Sequence, residues 1–301
     1  MTTSRIQHLE AMVYMVFVSF FASINFLLGK NMLASLNPAW VVLIRFLLPL
    51  FFMIWVAVIT NFPKMPSKSS FRPLIIRCFC FFLTQYFLFW YLFHGSYVLA
   101  AVLSCTAPIF IPFADWLIYK LHMTLKMWIS LSISFLGIVF ILDPGGQDWS
   151  SWAFLGLLSG FFSALGQVSF NQIAKNEDPK DTAFFLFLVG SIFSLIVVWI
   201  TTDRSEWVKV YDLLDDGKIV LTWVLFGALT VLAQVFRSKS YSLVNKTASI
   251  APLSYFTIIF SAFFAWYFYN SELSIRSWLG ILLVILGGVI LLHRKSQKPI
   301  L

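Results

Sequence analysis

The chain has 301 residues, of which 60% are hydrophobic and only 11% charged, with 34 Phe and a formal net charge of +8. A soluble domain carries about half apolar and a quarter charged residues, so no water-soluble core takes up this much apolar surface. The composition excludes a soluble enzyme or a nucleic-acid-binding domain and leaves a polytopic membrane protein.

About 20 apolar residues cross the hydrocarbon layer as a helix. Ten stretches meet that need: 11–29, 38–60, 73–93, 97–118, 124–142, 151–170, 181–201, 219–236, 246–268 and 275–292. The runs are continuously apolar, without the alternation of a barrel strand, which predicts an all-α membrane protein. The first follows a nearly uncharged stretch (Arg5, Glu10), is too long for the apolar region of a signal peptide, and ends at Gly29-Lys30 without a small-x-small cleavage site. It reads as a permanent helix.

Polar side chains inside the spans cost free energy unless they meet a partner or water. The first span carries Asn25. The second carries Arg45, which a rise of 1.5 Å per residue from Pro38 puts about 10 Å below the outer surface, too deep for easy snorkelling. It is either a structural Arg satisfied by helix-end carbonyls or a polar neighbour, or an anchor for a substrate carboxylate. The third span holds Gln85, Tyr86 and Trp90. In the fourth, Pro108 and Pro112 each remove a helix hydrogen bond. Asp115 lies about 27 Å down the same span, out of reach of Arg45. It either meets Lys120 or water, or couples transport to a proton.

The sixth span has Gln167, with Gly156, Gly160, Ser163 and Gly166 suited to close helix packing. Gln234 lies in the eighth. In the ninth, Pro252 is surrounded by Ser249, Ser254, Tyr255 and Thr257, and Trp266 follows. Counted from the helix starts, Asn25 corresponds to Gln167 and Gln85 to Gln234, and the two pairs bracket the midplane. These amides either line a cavity between two halves or glue helices together. Tyr86, Trp90, Tyr255 and Trp266 lie deeper than an interfacial belt, where they either stack on a ring or a cation, or face lipid. Pro108, Pro112 and Pro252 fall at equivalent places in the two halves and offer hinges.

Chemistry beyond binding finds no footing. Cys78, Cys80 and Cys105 read as small apolar helix residues. His8, His94, His122 and His293 sit at span edges without the i, i+3 or i, i+4 spacing of a helical metal site. No Gly-x-Ser-x-Gly, His-Glu-x-x-His or Walker loop occurs, and the longest loop, 201–218, is too short for a soluble catalytic or ATP-binding domain. The expectation is no catalytic residue, no metal and no cofactor.

Orientation follows from basic residues. With both termini inside, Arg5, Lys64, Lys68, Arg72, Arg77, Lys120, Lys126, Lys175, Lys180, Arg237, Lys239, Lys246, Arg294, Lys295 and Lys298 face the cytoplasm. The outer face keeps Lys30, Arg204, Lys209, Lys218 and Arg276. The positive-inside rule selects this topology.

Two stretches repeat. Ala107-Pro108 leads through Trp128 and Gly137 to Leu142, and Ala251-Pro252 leads through Trp278 and Gly287 to Leu292. Each closes a half of five spans, an odd number, so the second half enters the membrane upside down relative to the first, as in many secondary transporters. The halves are expected at 1–145 and 146–301.

Arg45-Phe46-Leu47, the Phe135-Leu136-Gly137-Ile138 that precedes Asp143-Pro144-Gly145, and Ala251-Pro252-x-x-Tyr255 leading to Trp266 and Glu272 resemble the EamA family of the drug/metabolite transporter superfamily. The likeness covers nearly the whole chain. One departure is Lys120-Leu121-His122 where members carry Gly-Glu-Arg; Glu272 keeps the acidic counterpart and, with Asp115, is a coupling candidate. The resemblance implies alternating access around a central site, and substrates that range over amino acids, their derivatives, nucleoside-containing metabolites and lipophilic compounds. The Arg-Phe of the second span and Ala-Pro-x-x-Tyr of the ninth are similar to carriers of S-adenosylmethionine, for which Arg45 would meet the carboxylate, aromatic faces the adenine and sulfonium, and amides the ribose. The same groups suit an ordinary amino acid. Its partners would be a small-molecule solute and the lipid of a bacterial-type inner membrane, with a homodimer as an option. An exporter of amino acids or drugs, and a non-transporting scaffold or lipid-modifying enzyme, are the alternatives.

Overall fold

The computed structural model describes residues 2–120, 125–142, 151–174, 176–244, 250–270 and 274–292. Within them the chain forms twelve α-helices and no strand. These are α1 (Thr2–Met32), α2 (Pro38–Ile59), α3 (Lys68–His94), α4 (Tyr97–Ser104), α5 (Ala107–Tyr119), α6 (Leu125–Leu142), α7 (Ala153–Ile173), α8 (Pro179–Thr201), α9 (Arg204–Leu213), α10 (Gly217–Ser242), α11 (Phe256–Tyr269) and α12 (Ile275–Leu292). Among the described residues, seven helical stretches are long and apolar enough to cross a membrane. They start at Gln7, Pro38, Lys68, Tyr97, Ala153, Pro179 and Gly217. Shorter apolar stretches, Leu253–Tyr269 and Trp278–Gly287, occupy the ninth and tenth expected segments, and α6 the fifth.

Helix starts are written locally. Asn37, Asp178 and Asp216 each accept a hydrogen bond through their side-chain oxygen from the amide two residues on, at 2.8 to 3.0 Å. A proline follows two of these caps, where its missing N–H costs nothing. Ser67, before α3, caps differently: its N–H and hydroxyl donate to Glu177 Oε1 at 3.1 and 2.6 Å. These bonds, with Ser70, hold the Glu177 carboxyl below the usual carboxylate range.

Both Ala-Pro segments are broken. The fourth expected span is two helices, α4 and α5, interrupted at Cys105-Thr106, with Pro108 in the first turn of α5 and Pro112 inside it. The ninth begins as a 3-10 turn, Ala251–Tyr255, before α11 takes over. The chain ends both segments alike, with Lys120 (φ 53°) and Asn270 (φ 47°) in the left-handed region. The expected loop 201–218 contains α9, which buries none of its residues and is tied to α2 by Trp207 packing edge-on against Trp40 at 4.7 Å.

The long helices pair as α3 with α7, α1 with α10, α2 with α8 and α6 with α12. Every one of these pairs joins a helix before residue 145 to a helix after it. The pattern survives exchange of α1 for α7, α2 for α8, α3 for α10, α5 for α11 and α6 for α12: α5 lies on α7 as α11 lies on α1, and α10 touches α2 as α3 touches α8. Small residues set the closest approaches. Gly190 of α8 lies under the Phe46 ring, and Gly160 of α7 under Thr106 at the α4–α5 break, with no room for a Cβ at either.

Contacts at the helix ends define two faces. On one, Lys30 donates to the carbonyls of Leu92 and Gly95 at 2.7 and 3.1 Å, and the Tyr269 hydroxyl donates to Asn31 Oδ1 at 2.9 Å. There α4 begins and α11 ends. On the other, the Ser240 hydroxyl donates to the Ala11 carbonyl at 2.7 Å, and Glu177 meets Ser67.

Candidate functional site

The two breaks meet on the wall of a cavity of about 90 Å³. Its wall takes Ser19 and Ala22 from α1, Arg45 from α2, Thr84 and Gln85 from α3, Ser104, Cys105 and Ala107 from the first break, Ser163 and Gln167 from α7, Arg237 from α10, and Ser254 and Thr257 around the second break. Carbonyls in and just after the 3-10 turn meet side-chain donors. The Leu253 carbonyl accepts from Ser19 at 3.1 Å, that of Ser254 from the Cys105 thiol at 3.3 Å, and that of Thr257 from Ser23 at 3.0 Å. Discontinuous helices are tolerated at membrane depth where neighbours or a cavity take over the freed backbone groups.

Arg45 sits on the cavity wall, 7% exposed. Its guanidinium carbon lies 5.5 Å from the ring centre of Phe89 and 5.2 Å from that of Phe226, so its charge rests between two aromatic faces. Its Nε and Nη1 have no hydrogen-bond acceptor among the described residues. Toward the Ser67–Glu177 face lies a second, smaller hollow of about 20 Å³, which shares Phe81, Thr84, Ser163, Gln167 and Arg237 with the cavity and adds Arg77. Arg77 is 3% exposed, its guanidinium carbon is 3.0 Å above the Phe170 ring, and its Nε and Nη1 also have no acceptor among the described residues. No carboxylate lines either space among the described residues.

Of the expected site residues, Arg45, Gln85 and Gln167 come together on this wall. Gln85 keeps an unpartnered Oε1, whereas Gln167 is engaged on both ends, donating to Ser163 at 2.9 Å and accepting from the Tyr241 hydroxyl at 2.6 Å. Asn25 and Gln234 are buried away from the wall, Asn25 with Thr230 as its neighbour at 3.4 Å. Tyr255 is buried behind the second break with no partner for its hydroxyl among the described residues. Tyr86 and Trp90 belong to an aromatic column with His94 and Trp152 at the His94 end of α3, and Trp266 is 62% exposed; the cavity wall includes none of the three. Asp115 lies on α5, beyond Pro112. Glu272 lies outside the described residues.

Sequence reasoning counted Arg77 and Arg237 among the basic residues of the cytoplasmic face and not among the site candidates; both line the internal spaces. Their signal was position: Arg77 lies within the predicted span 73–93, and Arg237 one residue past 219–236.

The sequence model of the EamA-like transporter family matches residues 9–143 and again 150–293. The chain belongs to this family. Among relatives, the pseudopaline exporter CntI of Pseudomonas aeruginosa (strain UCBPP-PA14) is 23% identical over 198 residues, 65% of this chain and 66% of that protein. The S-adenosylmethionine uptake transporter of Rickettsia prowazekii (strain Madrid E) is 21% identical over 202 residues, 66% of this chain and 64% of that protein. The matched region thus spans just under two thirds of each relative's length. A crystal structure superposes with a TM-score of 0.63 at 12% identity, covering 96% of this chain and 97% of the other, a likeness of fold.

Proposed function

We propose that this EamA-like protein is a secondary carrier that moves a small, carboxylate-bearing organic metabolite by alternating access, with Arg45 as the anchor. The observation that carries the reading is the Arg45 guanidinium, permanently charged, on the wall of a cavity and without an acceptor among the described residues. A substrate carboxylate supplies the missing acceptor through paired charge-assisted hydrogen bonds. The cavity's 90 Å³ is well below the roughly 300 Å³ of a pocket that takes a metabolite. Loading therefore requires the helices around the two breaks to part, with Pro108 and Pro252 at the breaks and Pro112 inside α5 as the proposed hinges.

The proposed frame is two inverted five-span repeats, residues 1–145 and 146–301, in an inner membrane with both termini cytoplasmic. In its support, α4–α5 starts and α11 ends at the same face, and the helix pairings survive exchange of the halves. Asp115 and Glu272 are the coupling candidates of this frame.

Purified protein in liposomes is expected to show saturable uptake and counterflow. Replacing Arg45→Ala should cut exchange of carboxylate-bearing solutes at least tenfold while leaving the protein folded. Unchanged kinetics in that variant would remove Arg45 from the site, and absence of counterflow from the wild type would sink the carrier itself.

A further inference from the structure

Resting on the carrier reading, we infer that the transported species is a net anion with two acidic groups, a dicarboxylate or a phosphomonoester, and that Arg237 together with Arg77 receives the second group. Three guanidiniums gather on two adjoining internal spaces: Arg45 and Arg237 line the cavity, and Arg237 and Arg77 line the neighbouring hollow. Neither space has a carboxylate in its wall among the described residues. Guanidinium is not neutralised by deprotonation in a protein, so the positive charge stays.

Each buried Arg solves only half of its problem within the fold. Phe89 and Phe226 flank Arg45, and Phe170 lies under Arg77. An aromatic face soothes the charge but accepts no N–H bond in the guanidinium plane. The plane's edge, with Nε and Nη1 unpartnered on both residues among the described groups, is the part that binds a carboxylate or phosphate in a fork. A single carboxylate at Arg45 leaves the second cluster uncompensated. A second acidic group on the same molecule meets Arg237, which borders both spaces, and reaches Arg77 once loading parts the shared wall of Thr84 and Gln167.

Substrate charge then becomes a selection rule. An amino-acid zwitterion brings an ammonium into a space already lined by guanidiniums, and S-adenosylmethionine brings two cationic centres. Both meet the repulsion of the guanidiniums, which no carboxylate in the described wall offsets. A dianion is drawn in, and its desolvation is offset by groups that are already desolvated.

The test is counterflow in liposomes holding the full-length protein, with four labelled probes at equal concentration: succinate, glycerol 3-phosphate, alanine and S-adenosylmethionine. Succinate or glycerol 3-phosphate should exchange at least tenfold faster than alanine and S-adenosylmethionine, and the faster of the two names the acid group. With the potential clamped by valinomycin and potassium, net uptake of that probe should respond to voltage as anion entry does, unless it exchanges one for one. Arg237→Gln should lower exchange of the dianion at least tenfold while lactate, a monoanion, changes less than threefold; Arg237→Lys should restore part of the loss. Alanine or S-adenosylmethionine matching or exceeding both dianions overturns the inference and leaves the carrier standing. Lack of saturable exchange with all four probes removes both. The wild-type comparison decides the matter even if the Arg237 variants fail to fold.

Discussion

Arg45 is a poor residue for stability, and the proposed carrier gives it a use in binding. Buried charge without a paired acceptor is destabilising, and an apolar side chain of similar length removes that cost. Replacing Arg45→Met is therefore expected to raise the unfolding free energy by about 1–3 kcal/mol while abolishing exchange. Thermal unfolding of the two proteins in the same detergent checks it: a less stable Arg45→Met protein would mean that Arg45 is a structural element of the fold. Depth made Arg45 legible in the sequence, because seven residues past Pro38 is far from either surface. The same reasoning failed for Arg77 and Arg237. Hydropathy runs tell how far along a span a residue lies, but in helices apolar all round they do not tell which side of the helix it is on. Near a span end, a basic residue that snorkels and one that turns inward read alike. Trp90 and Trp266 show the converse: both are placed inside a span by the sequence, yet both lie on faces away from the cavity.

The broken spans were legible as prolines and not as breaks. Pro108 and Pro252 each announce a defect. The packing of Gly160 against Thr106, and the donors Ser19, Ser23 and Cys105 that meet carbonyls in and just after the 3-10 turn, come from helices more than 50 residues away. The far ends of these segments carry a local signal that propensity explains better. Lys120 and Asn270 both close their helices in the left-handed region, which a β-carbon disfavours by about 1–2 kcal/mol and which Asn tolerates better than Lys. Lys120→Gly should accordingly stabilise the protein by about 0.5–1 kcal/mol, after the entropy that Gly adds to the unfolded chain, and Asn270→Gly by less. Unfolding midpoints of the two single variants give the ranking, and an equal or reversed order would show that tertiary contacts, not the helix cap, hold Lys120 in place. Helix α9 escaped the sequence because spans were read from long apolar runs, and ten residues with interspersed charge form none.

At the scale of the molecule, the boundary between the sequence halves is not a boundary in space. Rocking residues 1–145 as a body against 146–301 would tear α3 from α7, α1 from α10, α2 from α8 and α6 from α12, which are the most extensive contacts in the protein. The moving bodies of an alternating-access cycle must instead be drawn from both halves, with cross-half pairs kept intact and the seams at the breaks doing the opening. Gly166 offers a direct probe of one such pair. A Cβ at this position would stand 3.5 Å from the Cys80 Cβ across the α3–α7 contact, within the range that a disulfide spans. In a background with Cys78 and Cys105 replaced by Ser, Gly166→Cys should therefore form a bridge to Cys80 on mild oxidation. A protease site placed in the 143–150 segment then yields two fragments that stay together until reduced. If α3 and α7 travel as one body, the oxidised protein keeps its exchange rate within about twofold of the reduced one. Loss of exchange on oxidation, recovered with reductant, would mean that this pair parts during the cycle and that the halves themselves are the bodies that move.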